Sequence, residues 1–275
     1  MSASVANAMG ALAAHRLNDL DQYSMEYKIG INSAGSAFEE YVKDLLTGRF
    51  YASPKERKAA FSREFSWLGN QNFPPDAIAA GGDAFEIKKH ERAASAIALN
   101  SSHPRDMLAQ DDPMLTSDCR SRIGGPLDLF YIVGTVPGRV ARSIYFVQGK
   151  CYAASASIYQ SISSRLSDAV RDAIHGSGLE YSETRELGRV NRADPLGRAS
   201  LRVRGMWQIM DPARAFDGIA PPLDGKEFYA YAIMEEGKFR SMGPLPRGVS
   251  ARSERIPSPN NPARLMDAVV MEVSW

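Results

Sequence analysis

The sequence predicts an α/β fold, and three observations carry that expectation. Apolar residues recur at helical spacing over residues 33–46, a glycine turn separates two strand-like runs between Asp76 and Lys88, and an almost wholly apolar run extends from Leu127 to Val136. In the first, Ala37, Phe38, Tyr41, Val42, Leu45 and Leu46 share one helix face, with Ser33 as the expected N-cap and Gly48 as the stop. A second helix is predicted from Ser53-Pro54-Lys55-Glu56 to about Phe65. There a serine cap, a proline at the first helical position and a glutamate at the third form a capping box.

Asp76-Ala77-Ile78 and Ala84-Phe85-Glu86-Ile87-Lys88 then flank Gly81-Gly82-Asp83, which reads as an antiparallel hairpin with a tight turn. A third short strand is expected from Ser95 to Leu99. The run Leu129-Phe130-Tyr131-Ile132-Val133 suits a strand buried on both faces. Ser143 to Val147 reads as another strand, and Ser155 to Ile174 as a helix with Ile158, Ile162, Leu166, Val170 and Ile174 on one face. Beyond Gly176, proline and glycine recur, and only Phe228–Met234 and Ala268–Val273 look like strands. The expected organisation is a single domain over residues 1–275. Its core spans about 33–175, and a C-terminal extension over 176–275 is expected to hold binding or dimerisation elements.

With 275 residues, 44% of them hydrophobic, the chain can bury a large core. Cys119 and Cys151 lie in no metal-binding or disulfide pattern, which fits a reducing cytoplasm. No apolar run approaches ~20 residues and no leader precedes the first helix, so a soluble protein without a membrane span is expected. The net charge of +1 argues against nucleic-acid binding in general. It conceals a segregation: Arg185, Arg189, Arg192, Arg198, Arg202 and Arg204 stand against only Glu186 and Asp194 in the same stretch. Arginine forks grip phosphate or guanine; the plainer reading of such a stretch is a solvated loop surface.

The chemistry is expected on the hairpin. In a strand, Glu86 and Lys88 point the same way with backbones roughly 6 to 7 Å apart, and Ile87 points into a core. A partner strand can bring Asp76 beside Glu86, and two clustered carboxylates repel unless a hard divalent cation such as magnesium neutralises them. Such an ion polarises a phosphate and activates water, while Lys88 orients the water or balances developing charge. A surface hairpin of alternating charge is the competing reading of the bare pattern.

The helix Gly35-Ser36-Ala37-Phe38-Glu39-Glu40-Tyr41-Val42-Lys43-Asp44, followed by Pro75-Asp76 and Phe85-Glu86-Ile87-Lys88-Lys89, resembles the PD-(D/E)xK nuclease superfamily. The run Ala98-Leu99-Asn100-Ser101-Ser102-His103-Pro104, continuing to Asp111-Asp112-Pro113-Met114-Leu115-Thr116, resembles type II restriction endonucleases of the NgoPII group. The resemblance covers about Gly35 to Val136. It implies a restriction-endonuclease-like core, with a mixed central sheet of about five strands flanked by helices. Asp76 and Glu86 would be metal ligands, Lys88 the catalytic lysine, and Glu39 an auxiliary acid with Glu40 as its alternative. It further implies Mg2+, with Mn2+ as a substitute, and a homodimer cutting both strands of double-stranded DNA at a short GC-rich palindrome, GGCC first. A cognate DNA methyltransferase would be its functional partner, in the cytoplasm of a bacterial cell.

Asn100, Ser101, Ser102, His103 and Arg105 follow the third strand and are candidates for DNA contact, as are Arg120 and Arg122. Asp111 or Asp112 could accept from cytosine N4. A polar turn capped by Ser101 and Ser102 is the structural alternative, and His103 before proline reads more simply as a turn residue. Two other functions stay open: a structure-selective repair or recombination nuclease using the same residues, and a non-catalytic DNA-binding protein.

Overall fold

The computed structural model describes residues 2–24, 33–51, 53–70, 73–92, 96–112, 114–182, 184 and 186–275. It divides into two compact units. The larger comprises residues 1–95, 106–153 and 210–275, and the smaller residues 96–105 and 154–209.

The larger unit opens with helices α1 (Val5–His15), α2 (Asp21–Ser24), α3 (Ser33–Thr47) and α4 (Pro54–Glu64). Gly48, at φ +73°, ends α3 as expected of a C-terminal glycine, and the Ser53 hydroxyl caps α4 by accepting from the Glu56 N–H. Strands β1 (Phe65–Asn70), β2 (Phe73–Ala79) and β3 (Ala84–His90) follow as a meander. In the smaller unit lies β4 (Ala96–Asn100), after which the larger unit resumes with β5 (Met107–Leu108), α5 (Ser117–Ser121), β6 (Leu127–Thr135), β7 (Ser143–Gln148) and α6 (Gly149–Tyr152). The chain then returns to the smaller unit for α7 (Ala156–Gly176), β8 (Glu180–Tyr181), β9 (Gly188–Asn191), β10 (Leu201–Val203) and β11 (Trp207–Met210). It finishes in the larger unit with α8 (Pro212–Ala215), β12 (Tyr229–Glu235), α9 (Glu236–Ser241), β13 (Ser250–Ser258) and β14 (Asn261–Ser274).

Among the described residues, nine strands form the main sheet, in the order β1-β2-β3-β6-β7-β12-β14-β13 with β5 added beside β6. The sheet is mixed: β3 pairs parallel to β6 and β7 parallel to β12, and the other pairings are antiparallel. The expected mixed α/β architecture is therefore present, with nine strands rather than about five. Three of the nine, β12, β13 and β14, come from the C-terminal hundred residues, and β1 and β5 add two more in the N-terminal part. Tyr229-Ala230-Tyr231-Ala232-Ile233-Met234 runs through the interior of the sheet, and β14 lies beside it. The division into a core over 33–175 and an extension over 176–275 thus differs from the one observed, in which residues 210–275 complete the main sheet. The third strand, reading Ala96–Asn100 with Ser95 outside the described residues, pairs with β11 instead of joining the main sheet.

Both faces of the sheet centre are covered, which is why its strands read as continuous apolar runs. On one face Phe85, Ile87, Phe130, Ile132 and Phe146 pack against Phe38, Tyr41 and Leu45 of α3. On the other, Tyr145, Val147, Tyr231 and Ile233 meet Phe216 and Ala220. Gly134 of β6 lies directly under the Phe38 ring, where an added Cβ would collide with the ring carbons. Gly134→Ala should therefore lower stability by about 1–3 kcal/mol, the usual cost of overpacking a core. Urea unfolding would show it, and an unchanged midpoint would mean that α3 can shift freely.

In the smaller unit, β8, β9 and β10 form one sheet and β4 with β11 another. The apolar face expected on α7 divides. Ile174 is buried and Val170 seats beneath Gly188, whereas Ile158, Ile162 and Leu166 are exposed. Steps of four residues rotate by about 40° each around an α-helix, so four such steps turn through about 160° and the five residues cannot all stay on one buried face. Among the described residues no helix is long and apolar enough to cross a membrane.

Candidate active site

Hairpin register sets the site. Ala77 pairs with Phe85 and Ile78 with Ala84, so carrying the register one residue further places Asp76 opposite Glu86. The turn that permits this runs through Gly81 at φ +68°, a conformation that favours glycine. One carboxylate oxygen of Asp76 accepts the Ile87 N–H at 2.5 Å, which fixes the side chain against the neighbouring strand. Lys88 Nζ lies 2.6 Å from Glu86 Oε1 and 3.7 Å from Asp76 Oδ2. The residues singled out as a catalytic trio therefore do converge, on two strands of the main sheet.

The electrostatics show what such a cluster lacks. Burial, and then the charge of Glu86, push the Asp76 carboxyl up to about 7 despite Lys88 beside it. Burial would lower Lys88, but Glu86 and Asp76 outweigh it and hold the ammonium above its ordinary range. Glu39, on α3, is raised chiefly by burial, and its charge is felt at Asp76 and Lys88. Lys43 lies 3.1 Å from Glu40 and 4.0 Å from Glu39, and of these two helix acids it is Glu39 whose charge acts on Asp76 and Lys88. An Asp76 that resists ionisation is a group waiting for positive charge.

These residues fit a hard divalent cation. They offer carboxylate oxygens only, and their mutual repulsion is what a cation relieves. Among the described residues no three acidic, histidine or cysteine side chains gather into a ready-made cage. Magnesium does not need one, since it takes one or two carboxylates and fills its remaining positions with water and substrate phosphate.

A stability consequence follows with a definite sign. Asp76 binds its proton more tightly in the folded protein than in the unfolded chain, so ionising it costs stability progressively between about pH 4 and pH 7. In EDTA, Asp76→Asn should unfold at a higher temperature than the wild type. The margin should widen from pH 5 to pH 8 and reach on the order of 1 kcal/mol or more. Thermal melts at the two pH values check this; a margin independent of pH would contradict the buried, acid-repelled carboxyl.

Sequence reasoning missed His90. It shares the Glu86 and Lys88 face of β3, and its Nε2 lies 3.0 Å from Thr135 Oγ1 and 3.3 Å from Asp211 Oδ2. Burial pushes its pKa down while Asp211 opposes the shift. Alternation along the strand (86, 88, 90) would have flagged the histidine. Nothing local connects it to Asp211.

The expected DNA-contact residues separate into several groups. Asn100 ends β4 at φ +53° and, like Ser101, is exposed; Ser102 is half-buried and donates its N–H to the Leu99 carbonyl. His103 is buried, stacked on Tyr159 with its Nδ1 2.8 Å from the Pro104 carbonyl oxygen. Arg105 is also buried and donates to the His103 carbonyl. These two are therefore packing residues as they stand, and presenting them to DNA would require them to leave the interior. All five belong to the smaller unit, whereas Asp76, Glu86 and Lys88 belong to the larger. In the larger unit, Arg120 braces the Asp112 carbonyl, and Asp112 is buried with its carboxylate closing a turn onto the Met114 N–H. Arg122 and Asp111 are exposed. Arg189 and Arg202 face each other across β9 and β10 on an exposed surface, and Glu186 holds both Arg202 and Arg204. Arg185 lies outside the described residues.

A mixed sheet flanked by helices, with an aspartate, a glutamate and a lysine meeting on adjacent strands, defines a nuclease of the restriction-endonuclease class. Comparison with known proteins agrees: the NgoPII restriction endonuclease family matches residues 3–248. The type II restriction enzyme NgoPII of Neisseria gonorrhoeae is 41% identical over 246 residues, covering 86% of this chain and 87% of that protein. The chain belongs to the NgoPII restriction endonuclease family, and so is a type II restriction enzyme, a site-specific deoxyribonuclease acting on DNA. No solved structure matches it.

Proposed function

We propose that this enzyme hydrolyses both strands of double-stranded DNA at a short GC-rich palindrome, GGCC being the site to test first. The convergence of Asp76, Glu86 and Lys88 on the β2–β3 hairpin carries the reading of the chemistry. Asp76 and Glu86 are the residues that would hold Mg2+, or Mn2+ in its place, and Glu39 adds a nearby negative charge. The bound ion would supply charge neutralisation at the scissile phosphate and a lowered pKa for water. The Ile87 N–H orients the Asp76 carboxylate, and Lys88, kept cationic by its two acidic neighbours, offers its ammonium to the attacking water or a phosphate oxygen. Asn100, Ser101, Ser102, Arg122 and the arginines of β9 and β10 would be the side chains that contact DNA, a reading supported by their full or partial surface exposure.

A palindromic duplex presents two equivalent strands, and a twofold homodimer places one site on each. The enzyme would act in the cytoplasm of a bacterial cell, beside a methyltransferase that protects the host's own copies of the sequence. Family resemblance supports the palindrome and these partners. The test is digestion of unmethylated plasmid and phage DNA with magnesium or with EDTA, followed by sequencing of the ends. Discrete magnesium-dependent fragments sharing GGCC are expected. Fragments sharing another sequence would replace GGCC, and absence of cutting by folded protein on every short GC-rich palindrome would overturn the reading.

A further inference from the structure

Among the described residues, seven of the eleven exposed large apolar side chains belong to the smaller unit, although it is much the shorter of the two. Exposed apolar surface gathered in this way marks an interaction site. Three of the seven lie on the single helix α7. Ile158 is 44% exposed, Ile162 45% and Leu166 49%, and Ala169 and Ala173 are exposed beyond them. At about 100° per residue, these five positions fall within an arc of roughly 80° and extend for about 22 Å along the helix. The neighbouring arc, holding Ser163, Ser167, Val170 and Ile174, is the one turned towards the rest of the unit. The exposed stripe is thus a second apolar face on which none of the described residues packs closely enough to bury it.

We propose that this stripe is the twofold contact at which a second copy of the chain docks, α7 against α7. The inference deepens the homodimer reading above and rests on it. The stripe is large at its N-terminal end, Ile158 and Ile162, and small at its C-terminal end, Ala169 and Ala173. Two copies run antiparallel set the isoleucines of one against the alanines of the other, twice, with Leu166 meeting its own counterpart near the axis. A parallel pairing would crowd isoleucine on isoleucine and leave alanine facing alanine. Charge follows the same symmetry. Arg165 and Asp168 lie on one flank of the stripe, and in an antiparallel pair each comes opposite the other residue of the partner copy, giving two reciprocal ion pairs. Within the chain Asp168 already meets Arg171 at 3.2 Å, so the partner's arginine would share an acid that is held in place. An isologous contact of this kind closes after two subunits.

Sedimentation velocity over a concentration series, on the full chain alone and with duplex DNA, tests this. The wild type should be dimeric, and Leu166→Glu should raise the dimer dissociation constant by at least about tenfold, because it sets two carboxylates against each other at the axis. Arg165→Asp should weaken the dimer, and combining it with Asp168→Arg should restore it. Leu166→Cys should form a disulfide-linked dimer on mild oxidation; Cys119 and Cys151, both buried, do not compete for it. A wild-type dimer that survives Leu166→Glu unchanged and fails to cross-link through Leu166→Cys would overturn the surface and leave the homodimer standing. A wild type monomeric both free and on DNA would remove the homodimer itself. Cleavage of plasmid DNA reports separately on the nuclease reading.

Discussion

Lys88→Ala is expected to lower the rate of DNA cleavage by roughly 1,000-fold, and Asp76→Asn by at least as much, while duplex binding should change only a few-fold. The size follows from what each group faces. Removing one preorganised electrostatic contact to a transition state typically costs 100- to 1,000-fold, and Lys88 is the cation in contact with both acids of the site. Its loss also withdraws the charge that opposes protonation of Asp76, whose carboxyl already stands at about 7 with the lysine present. Asp76→Asn removes a ligand charge outright, yet keeps a carbonyl oxygen to accept the Ile87 N–H, so the hairpin survives. Binding is kept because most contact energy to duplex DNA comes from phosphate contacts spread over the surface. Single-turnover cleavage and filter binding on the same duplex separate the two effects. Cleavage within tenfold of the wild type for either variant would remove that residue from the chemistry.

The same Asp76→Asn change is expected to stabilise the protein without metal and to abolish cleavage. Opposite signs of this kind are expected where a site keeps repelling charges together for function.

The hairpin was legible because its information is local. A glycine turn and a two-residue alternation are written within thirteen residues, and the register follows from them. The caps of α4 and the end of α3 are local in the same sense. Glu39 could not be separated from Glu40 by pattern, since adjacent helix positions differ by only about 100° and the choice depends on how α3 is rotated over the sheet. His90 stands beside Asp211 only in the fold, across more than a hundred residues. His103 and Arg105 read as polar loop residues, but stacking on Tyr159 and the carbonyl partners of the two side chains let them be buried. The place of the tail in the main sheet is hidden for a related reason. Its strands β12 and β14 are separated from β7 by residues 154–209 of the smaller unit, and parallel pairing of β12 with β7 leaves no turn signal between them.

Arg57→Met should cost roughly 3–5 kcal/mol at pH 8, the largest stability loss expected of a residue outside the hairpin. Arg57 comes from the capping-box helix α4, where its position among Lys55, Glu56 and Lys58 suggests an ordinary solvated charge. It is nevertheless almost wholly buried. Its Nε lies 3.2 Å from both carboxylate oxygens of Asp44, the Tyr23 hydroxyl donates to Asp44 at 2.7 Å, and its guanidinium sits 4.6 Å from the centre of the Tyr23 ring. This network ties α4 and α2 to α3, the helix that carries Glu39. Without the arginine, a fully buried aspartate must either stay charged unpaired or take up a proton, and both cost free energy. The pH dependence tells this cause apart from simple loss of packing. Burial pushes Asp44 up to about 6 even against Tyr23 and Arg57, so near pH 5 the carboxyl is largely neutral and the arginine does less. The sign is that of a raised folded-state pKa: ionising Asp44 costs stability between about pH 4 and pH 6, and above that window Arg57 limits the cost. Urea unfolding should therefore show a larger loss for Arg57→Met at pH 8 than at pH 5. Adding Asp44→Asn should recover much of it at pH 8, because the unpaired charge is then gone. A loss below about 1 kcal/mol at pH 8, or an equal loss at both pH values, would show that the pair is not what holds these three helices together.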